Sequence, residues 1–455
     1  MKEKKRTVPL AEYPRRGTLI TLLFNFYVIT WWLEVGKRVG FLGQIRFEFL
    51  IAALLGFIIV FHPVKMPQLD PAEKRIVKGI FFYFLALLIS LIISQDFSRS
   101  LDIVVNRVLK LAAMTLFMTF FIQSPRHLWY FLISTFASYF KVGQETFRGR
   151  ITGSMVWENQ GIMRLNGPTN SMFGDPNSLS GKTVSLLPYL WFLFPLIKKY
   201  WKVIVLIQVI FAINIIVFTG SRTGYLATCT MLLAFWWYSA KKGKLFLGLI
   251  VLLLVTLFAV PTQYKARFMS SFEGKEAEGH SKQTRVGLLH DAALVFMEYP
   301  YGVGPGCFIV VQARAGRNEQ ETHNLYTQIL TEIGFQGFIA FVYFIYSVVK
   351  SLRITREKGV KTIRKLSLPE HQLKGMSVDL QNLFSSEKKK LKMLHAVCDG
   401  TLVFLFIRGV LGIFGHDLYE IYWWIAAGLA LVLANIQKVA DKRSEELVSC
   451  LVNFV

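Results

Sequence analysis

Four short stretches of this chain carry residues suited to handling a negatively charged substrate. In TGSRTGYLA (219–227), Ser221 is placed to cap a helix and Arg222 to open it. A helix start offers unpaired backbone N–H groups and a partial positive charge, and a guanidinium beside them suits a phosphate. The plainer reading is an arginine reaching for lipid headgroups. In TRVGLLHDAALVFMEYP (284–300), Arg285, Leu289, Ala292 and Phe296 fall on one helical stripe, with Leu288 and Val295 beside it. An amphipathic helix is expected there, with Arg285 at the top of its apolar face and pointing toward the membrane domain; a surface salt bridge to Asp291 or Glu298 is the alternative.

The third stretch is THNLYTQILTEIGFQGFIAF (322–341). Thr322 reads as the helix cap, with His323 and Asn324 in the first turn. A neutral imidazole in that place can take a proton near neutral pH, although a lone histidine is more often structural. Gly334 and Gly337 read as close-packing positions. The fourth is MRLNGPTNSMFGDPNSLSG (163–181), where Asp175 as N-cap and Pro176 at the first helical position make a conventional helix start. Capping accounts for Asp175 but not for Arg164. The segment YPYGVGPGC (299–307) is a Gly/Pro turn without the lysine and Ser/Thr of a phosphate loop. His416 and Asp417 are weaker candidates. The four cysteines, Cys229, Cys307, Cys398 and Cys450, form no metal-ligand pattern, and Cys307 has no partner on its expected side of the membrane. No metal and no cofactor are expected.

The elements that position these stretches follow from composition. Of 455 residues, 53% are apolar and only 18% charged, below the roughly 25% of an average soluble domain. The apolar residues come in long runs, which excludes disorder and a disulfide scaffold and leaves an all-α, polytopic transmembrane helix bundle. About twelve spans are expected: 18–35, 42–61, 76–94, 101–122, 127–140, 176–197, 203–219, 223–240, 245–262, 323–349, 394–412 and 419–436. The fifth is short. The first follows a basic stretch without a small-residue cleavage site and reads as a retained span. Asp102, Arg107 and Lys110 require the fourth to face protein on one side.

The net charge of +23 would suggest nucleic acid in a soluble protein. Here, with the N-terminus inside, Lys and Arg favour the inner segments over the outer ones by about two to one, so most of the charge is topological and no nucleic-acid partner is expected. Both termini are expected in the cytoplasm. The chain reads as one integral membrane domain (1–455) with a large, partly helical outer loop (263–322) and a basic inner loop (350–393) facing water and anionic lipid. The outer arginines are then the informative ones, because topology does not ask for them.

Taken together, the SRTGYLA helix start, the pair Arg285 and Leu289 in the large outer loop, the HNLYTQILTEIGFQG helix and the DPN at 175–177 resemble the O-antigen ligase and polysaccharide polymerase superfamily of bacterial inner-membrane proteins. The motifs cover roughly residues 160–345. That resemblance implies a metal-independent, inverting glycosyltransferase that takes its glycan from an undecaprenyl-diphosphate carrier. It implies Arg222 and Arg285 as the functional arginines and His323 as the functional histidine. Arg164, Asn324 and Asp175 are expected as substrate-binding residues. The expected partners are the lipid-linked donor, an acceptor hydroxyl on a glycan, on lipid A–core or on another molecule, and membrane lipids. The DPN segment favours a polymerase of repeat units over a ligase that moves finished polymer.

Two other functional classes make different demands on the sequence. A transporter or lipid-glycan flippase should place ionisable groups near the bilayer midplane between structural repeats; no repeat is evident, and Lys182 and Arg408 are the in-span exceptions. An intramembrane serine protease needs a basic partner for its serine, which Ser221 lacks in sequence.

Overall fold

The computed structural model describes residues 10–14, 17–61, 69–159, 161–169, 173–244, 247–248, 261–266, 281–317, 319–367 and 377–452; at 281–285 and 451–452 only the backbone is described. It is helical nearly throughout. The principal helices are α1 (Thr18–Leu33), α2 (Phe47–Phe61), α3 (Pro71–Ile92), α4 (Phe97–Phe121), α5 (Pro125–Ile151), α6 (Pro176–Leu193), α7 (Lys202–Phe218), α8 (Arg222–Tyr238), α9 (Ser281–Glu298), α10 (Phe308–Arg314), α11 (Leu325–Glu332), α12 (Gly334–Lys365), α13 (Val378–Leu411) and α14 (Tyr422–Val452). A small antiparallel hairpin, β1 (Val156–Asn159) and β2 (Ile162–Leu165), lies between α5 and α6. It is an addition to the expected all-α reading.

Helix starts follow the cap chemistry in the sequence. Asp70 and Glu73 form a reciprocal capping box at α3 with Pro71 in the first turn. Ser124 and Pro125 open α5, and Asp175 and Pro176 open α6. Inside α4, residues Val104–Leu109 make a π-helical turn that carries Asn106 and Arg107. Arg107 reaches Glu420 at 2.6 Å, so the charged side of α4 does meet protein.

Among the described residues, six helices are long and apolar enough to cross a membrane: α3, α4, α7 with the residues just before it, α12, α13 and α14. The shorter apolar helices α1 and α2 add to these. The other expected spans fall on α5, α6 and α8, and on 245–262, which lies almost wholly outside the described residues. Helix α14 is the most enclosed and α7 the least; Val203, Leu206, Ile210 and Ile213 of α7 face outward, as a lipid-facing helix requires. The central cluster includes Tyr83, Met118, Phe121, Phe344 and Trp424.

Two expectations about boundaries are corrected, and the secondary structure of a third segment is added. The fifth helix is 27 residues rather than 14, because Thr146 and Gly149 stay buried beyond residue 140 and Glu145 pairs with Arg38 at 2.7 Å. The tenth span does not begin at Thr322. A separate helix, α11, ends at Glu332, and the chain turns at Gly334 (φ 79°) before α12 starts. That glycine is required, since a Cβ there would lie 2.3 Å from the carbonyl carbon of Tyr301. Finally, much of 350–393 is helical, continuing α12 to Lys365 and forming the start of α13 from Val378.

One packing relation fixes the geometry of this end of the bundle. Helices α6 and α13 run antiparallel: a Cβ on Gly181 would lie 3.5 Å from Leu411, and one on Gly400 would lie 2.8 Å from Tyr189. The start of α6 and the end of α13 therefore share one face of the bundle.

Candidate functional site

On that face, Arg164 of β2 is 1% exposed and braces two helix ends. Its Nε donates to the Thr219 carbonyl at 2.7 Å and one terminal nitrogen donates to Asn177 Oδ1 at 2.9 Å. Thr219 closes α7 and Asn177 lies in the first turn of α6, so the guanidinium ties the end of one to the start of the other. A longer contact of 3.5 Å reaches Asn159 Oδ1 on β1. Burial pulls the Arg164 guanidinium down from its ordinary value, Asp175 and Tyr225 pull it up, and Arg222 pushes it down again. Two arginines thus sit within electrostatic reach of each other.

Arg222 opens α8. Ser221 caps the helix as expected, its hydroxyl accepting from Gly224 N at 3.1 Å. The turn before it needs Gly220 at φ 56°, where Tyr264 and Ile162 close in. Gly224 lets α8 approach α6 so closely that a Cβ would collide with Ser180. Asp175 caps α6 through Oδ1, which accepts from Asn177 N at 2.8 Å and Ser178 N at 3.1 Å.

The second group surrounds the start of α11. Asn324, and not Thr322, is the cap: its Oδ1 accepts from Tyr326 N at 2.9 Å and Thr327 N at 3.1 Å. His323 therefore precedes the helix instead of standing in its first turn, and its backbone is left-handed (φ 46°), unusual for a residue with a Cβ. Leu325 N donates to Gly412 O at 2.7 Å and Asn324 Nδ2 to Ile413 O at 3.0 Å, which fastens this segment to the end of α13.

These contacts place both groups on the shared face. Arg222 is two residues from Gly224, which touches Ser180 of α6; Gly181 lies against Leu411; and Gly412 holds Leu325, two residues from His323. Among the expected site residues, the structure gathers Arg164, Asp175 and Arg222 into one cluster and His323 with Asn324 into another, linked through the α6–α13 contact. The backbone of residue 285 lies in α9, but its side chain is outside the described residues. The apolar stripe of α9 is rotated from the expected one: Leu288, Ala292 and Val295 are buried against Val303, Cys307, Phe308 and Val311, while Leu289 is exposed. The helix packs on the Gly/Pro turn and α10.

Sequence reasoning passed over Glu332. It is fully buried at the end of α11, and one oxygen accepts from Gly306 N at 2.7 Å and from the Tyr419 hydroxyl at 2.6 Å. Burial raises this carboxyl well above the usual range, and nearby Glu321 raises it further. The Gly/Pro turn is held by it: Gly304 N donates to the Glu332 carbonyl and Gly306 N to its side chain. The available signal was that Glu332 is the one carboxylate in the expected span 323–349.

Lys182 and Arg408, both nearly buried, face each other across α6 and α13 above a cavity of about 50 Å³ lined by Trp32, Tyr139, Tyr189, Phe404 and Tyr422. Arg408 lies over the Tyr422 ring, donates to the Gly181 carbonyl and pairs with Asp417 at 3.2 Å. It is three residues from the end of α13, near the same face and away from the middle of the span.

With the Arg222 and His323 segments on one face, the comparison with known families is specific in where it falls. Residues 184–342 match the O-antigen ligase family. The matched stretch is about a third of the chain and contains Arg222, position 285 and His323, while Arg164 and Asp175 lie just before it. The resemblance to the O-antigen ligase and polysaccharide polymerase superfamily is thus supported, and so is a ligase or polymerase type of function for a helical membrane protein. No curated protein matches the chain.

Proposed function

We propose that the protein transfers a glycan from a polyprenyl-diphosphate carrier to an acceptor hydroxyl at this face of the membrane. The observation that carries the reading is the convergence of two segments of the O-antigen ligase match, the Arg222 helix start and the His323 turn, on one side of the bundle. The diphosphate lies at the start of α8, where the guanidinium of Arg222 and the backbone N–H groups offset the negative charge that grows as the sugar C1–O bond breaks. Arg285 adds a second cation from α9. The acceptor oxygen attacks C1 from the opposite side, its proton passes to His323, and the lipid diphosphate leaves; the configuration at C1 inverts. Arg164 braces the helix ends that aim Arg222, and Asp175 and Asn324 hold the two helix starts through their caps.

The reaction is assigned to the outer leaflet of the bacterial inner membrane, with both termini in the cytoplasm, and to polymerisation of lipid-linked repeats on the strength of the DPN segment. The ligase alternative uses the same site with lipid A–core or another hydroxyl as acceptor. Purified protein in vesicles separates the readings. Lipid-linked repeat alone yields longer chains if the protein is a polymerase. A product that forms only after a different acceptor is supplied identifies a ligase. Movement of the lipid-linked glycan between leaflets with no covalent product would overturn the transferase reading in favour of a flippase. Activity is expected to survive EDTA, and loss restored by a divalent ion would contradict charge stabilisation by arginine alone.

A further inference from the structure

Glu332 sits where three segments of the chain meet. Its Oε2 accepts from Gly306 N at 2.7 Å and from the Tyr419 hydroxyl at 2.6 Å, so one oxygen joins the Gly/Pro turn to the loop between α13 and α14. Its main chain makes separate bonds. The Glu332 carbonyl accepts from Gly304 N at 3.0 Å and from Ser90 Oγ of α3 at 2.5 Å, and Val303 N donates to the neighbouring Thr331 carbonyl at 2.9 Å. From its other side the turn is held by α4, where Arg99 Nε donates to Gly306 O at 2.7 Å and Ser100 Oγ to Pro305 O at 3.0 Å. Gly306 is thus fixed at both its N–H and its carbonyl, and the Glu332 side chain supplies the bond on the α11 side.

The turn supports α9. Leu288, Ala292 and Val295 of α9 are buried with Val303, Cys307 and Phe308, and Leu288 lies three residues from position 285. At the other end of α11 from Glu332, Leu325 N and Asn324 Nδ2 bond the His323 segment to the Gly412 and Ile413 carbonyls. The placement of α9 against that segment therefore runs through the turn and along α11, and the two Glu332 side-chain bonds lie on the path. An apolar side chain of the same length would fill the space and leave both buried donors without their acceptor.

We propose that Glu332 is a positioning residue for glycan transfer: its carboxyl fixes the turn that supports α9, and so the place of residue 285 relative to His323. It touches no reacting atom and acts through α9. The inference rests on the roles given above to Arg285 and His323. The property that matters is the acceptor oxygen and not a charge. A glutamine keeps an oxygen for Gly306 N and the Tyr419 hydroxyl, and a methionine has none at similar length.

The test measures kcat and donor KM per folded molecule in vesicles for wild type, Glu332→Gln, Glu332→Met, Tyr419→Phe, Arg285→Ala and the Glu332→Met/Arg285→Ala double variant. Hydrogen exchange is read on the same preparations. Glu332→Met should lower kcat by about tenfold or more, since ångström-scale misplacement of a reacting group is costly, with a smaller change in donor KM. It should also speed exchange in residues 300–307 and in α9 while α3 and α12 stay protected. Glu332→Gln should keep wild-type kcat. In the Arg285→Ala background, Glu332→Met should cost little more, because both act through the same helix. Wild-type kcat in Glu332→Met, an equal fall in Glu332→Gln, or a double variant in which the two losses multiply overturns the proposal. Tyr419→Phe removes one of the two bonds and should lower kcat several-fold; if Glu332→Met does not fold, wild-type kcat in Tyr419→Phe overturns the proposal in its place. Wild-type transfer in Arg285→Ala would instead remove the role on which the inference rests.

Discussion

The two faces of the bundle handle charge in different ways. On the face opposite the site, cations meet carboxylates directly: Lys438 with Asp70 and Glu73, Arg443 and Lys390 with Glu387, and Arg356 with Asp399. Glu73 and Glu387 are almost fully buried, so each acid is enclosed with its base. On the site face such pairs also occur, Arg408 with Asp417 and Arg107 with Glu420, but Arg164 donates to a carbonyl and to amide oxygens, with Asp175 and a second arginine within its field. The opposite face thus encloses its acids with bases, whereas Arg164 on the site face ties the end of α7 to the start of α6 through neutral oxygens.

The largest effect expected from this contrast is on stability. Lys438→Met leaves the buried Glu73 without its base and should destabilise the protein by about 3 kcal/mol, seen as a lower unfolding temperature in detergent. Transfer per folded molecule should be unchanged; an altered rate would mean that the opposite face also serves the reaction.

Arg222→Ala should do the reverse. Transfer is expected to fall roughly a hundredfold or more, equivalent to about 3 kcal/mol, while the unfolding temperature stays near that of wild type. Full activity would sink the role of this cation. Asn324→Ala is intermediate in kind: loss of the cap should cost about 1 kcal/mol of stability, and loosening of His323 should lower the rate as well. A variant with the stability loss alone would show that the cap does not position the histidine.

The smallest effect concerns Glu332. Its pKa is raised by burial to about 8, above that of the unfolded chain. The native state therefore holds a proton that the unfolded state has released, so the stability from this group is complete below the ordinary carboxylate range and is lost as pH rises toward 8. Glu332→Gln mimics the neutral carboxyl and should flatten the fall of unfolding temperature between about pH 5 and pH 8. An unchanged slope would show that Glu332 is ionised in the folded protein.

Much of this was legible in residue types. Caps at Ser221 and Asp175 were local facts, because an N-cap needs only a side-chain oxygen and the next few N–H groups. The arginines at 164, 222 and 285 stood out because they lie outside the segments expected to carry the inner positive charge. Other features were hidden for physical reasons. The break at Gly334 depends on Tyr301, thirty-three residues away, and an unbroken apolar run gave no sign of it. The β-hairpin is only four residues per strand and carries too few side chains for a period to register. The burial of Glu332 follows from the Gly/Pro turn folding over α11.

By itself, the sequence determined a helical membrane protein with basic segments concentrated between particular spans, and it singled out Arg222 and His323 as residues that topology does not demand. Hydrophobicity, caps and charge bias act locally or add along the chain, so a linear reading captures them. Only the tertiary structure decided that the start of α6 meets the end of α13, that Arg164 braces two helix ends, and that Gly306 and Tyr419 meet at Glu332. Those relations depend on which side chains are small enough to let two helices touch, and that becomes visible only when both helices are in place.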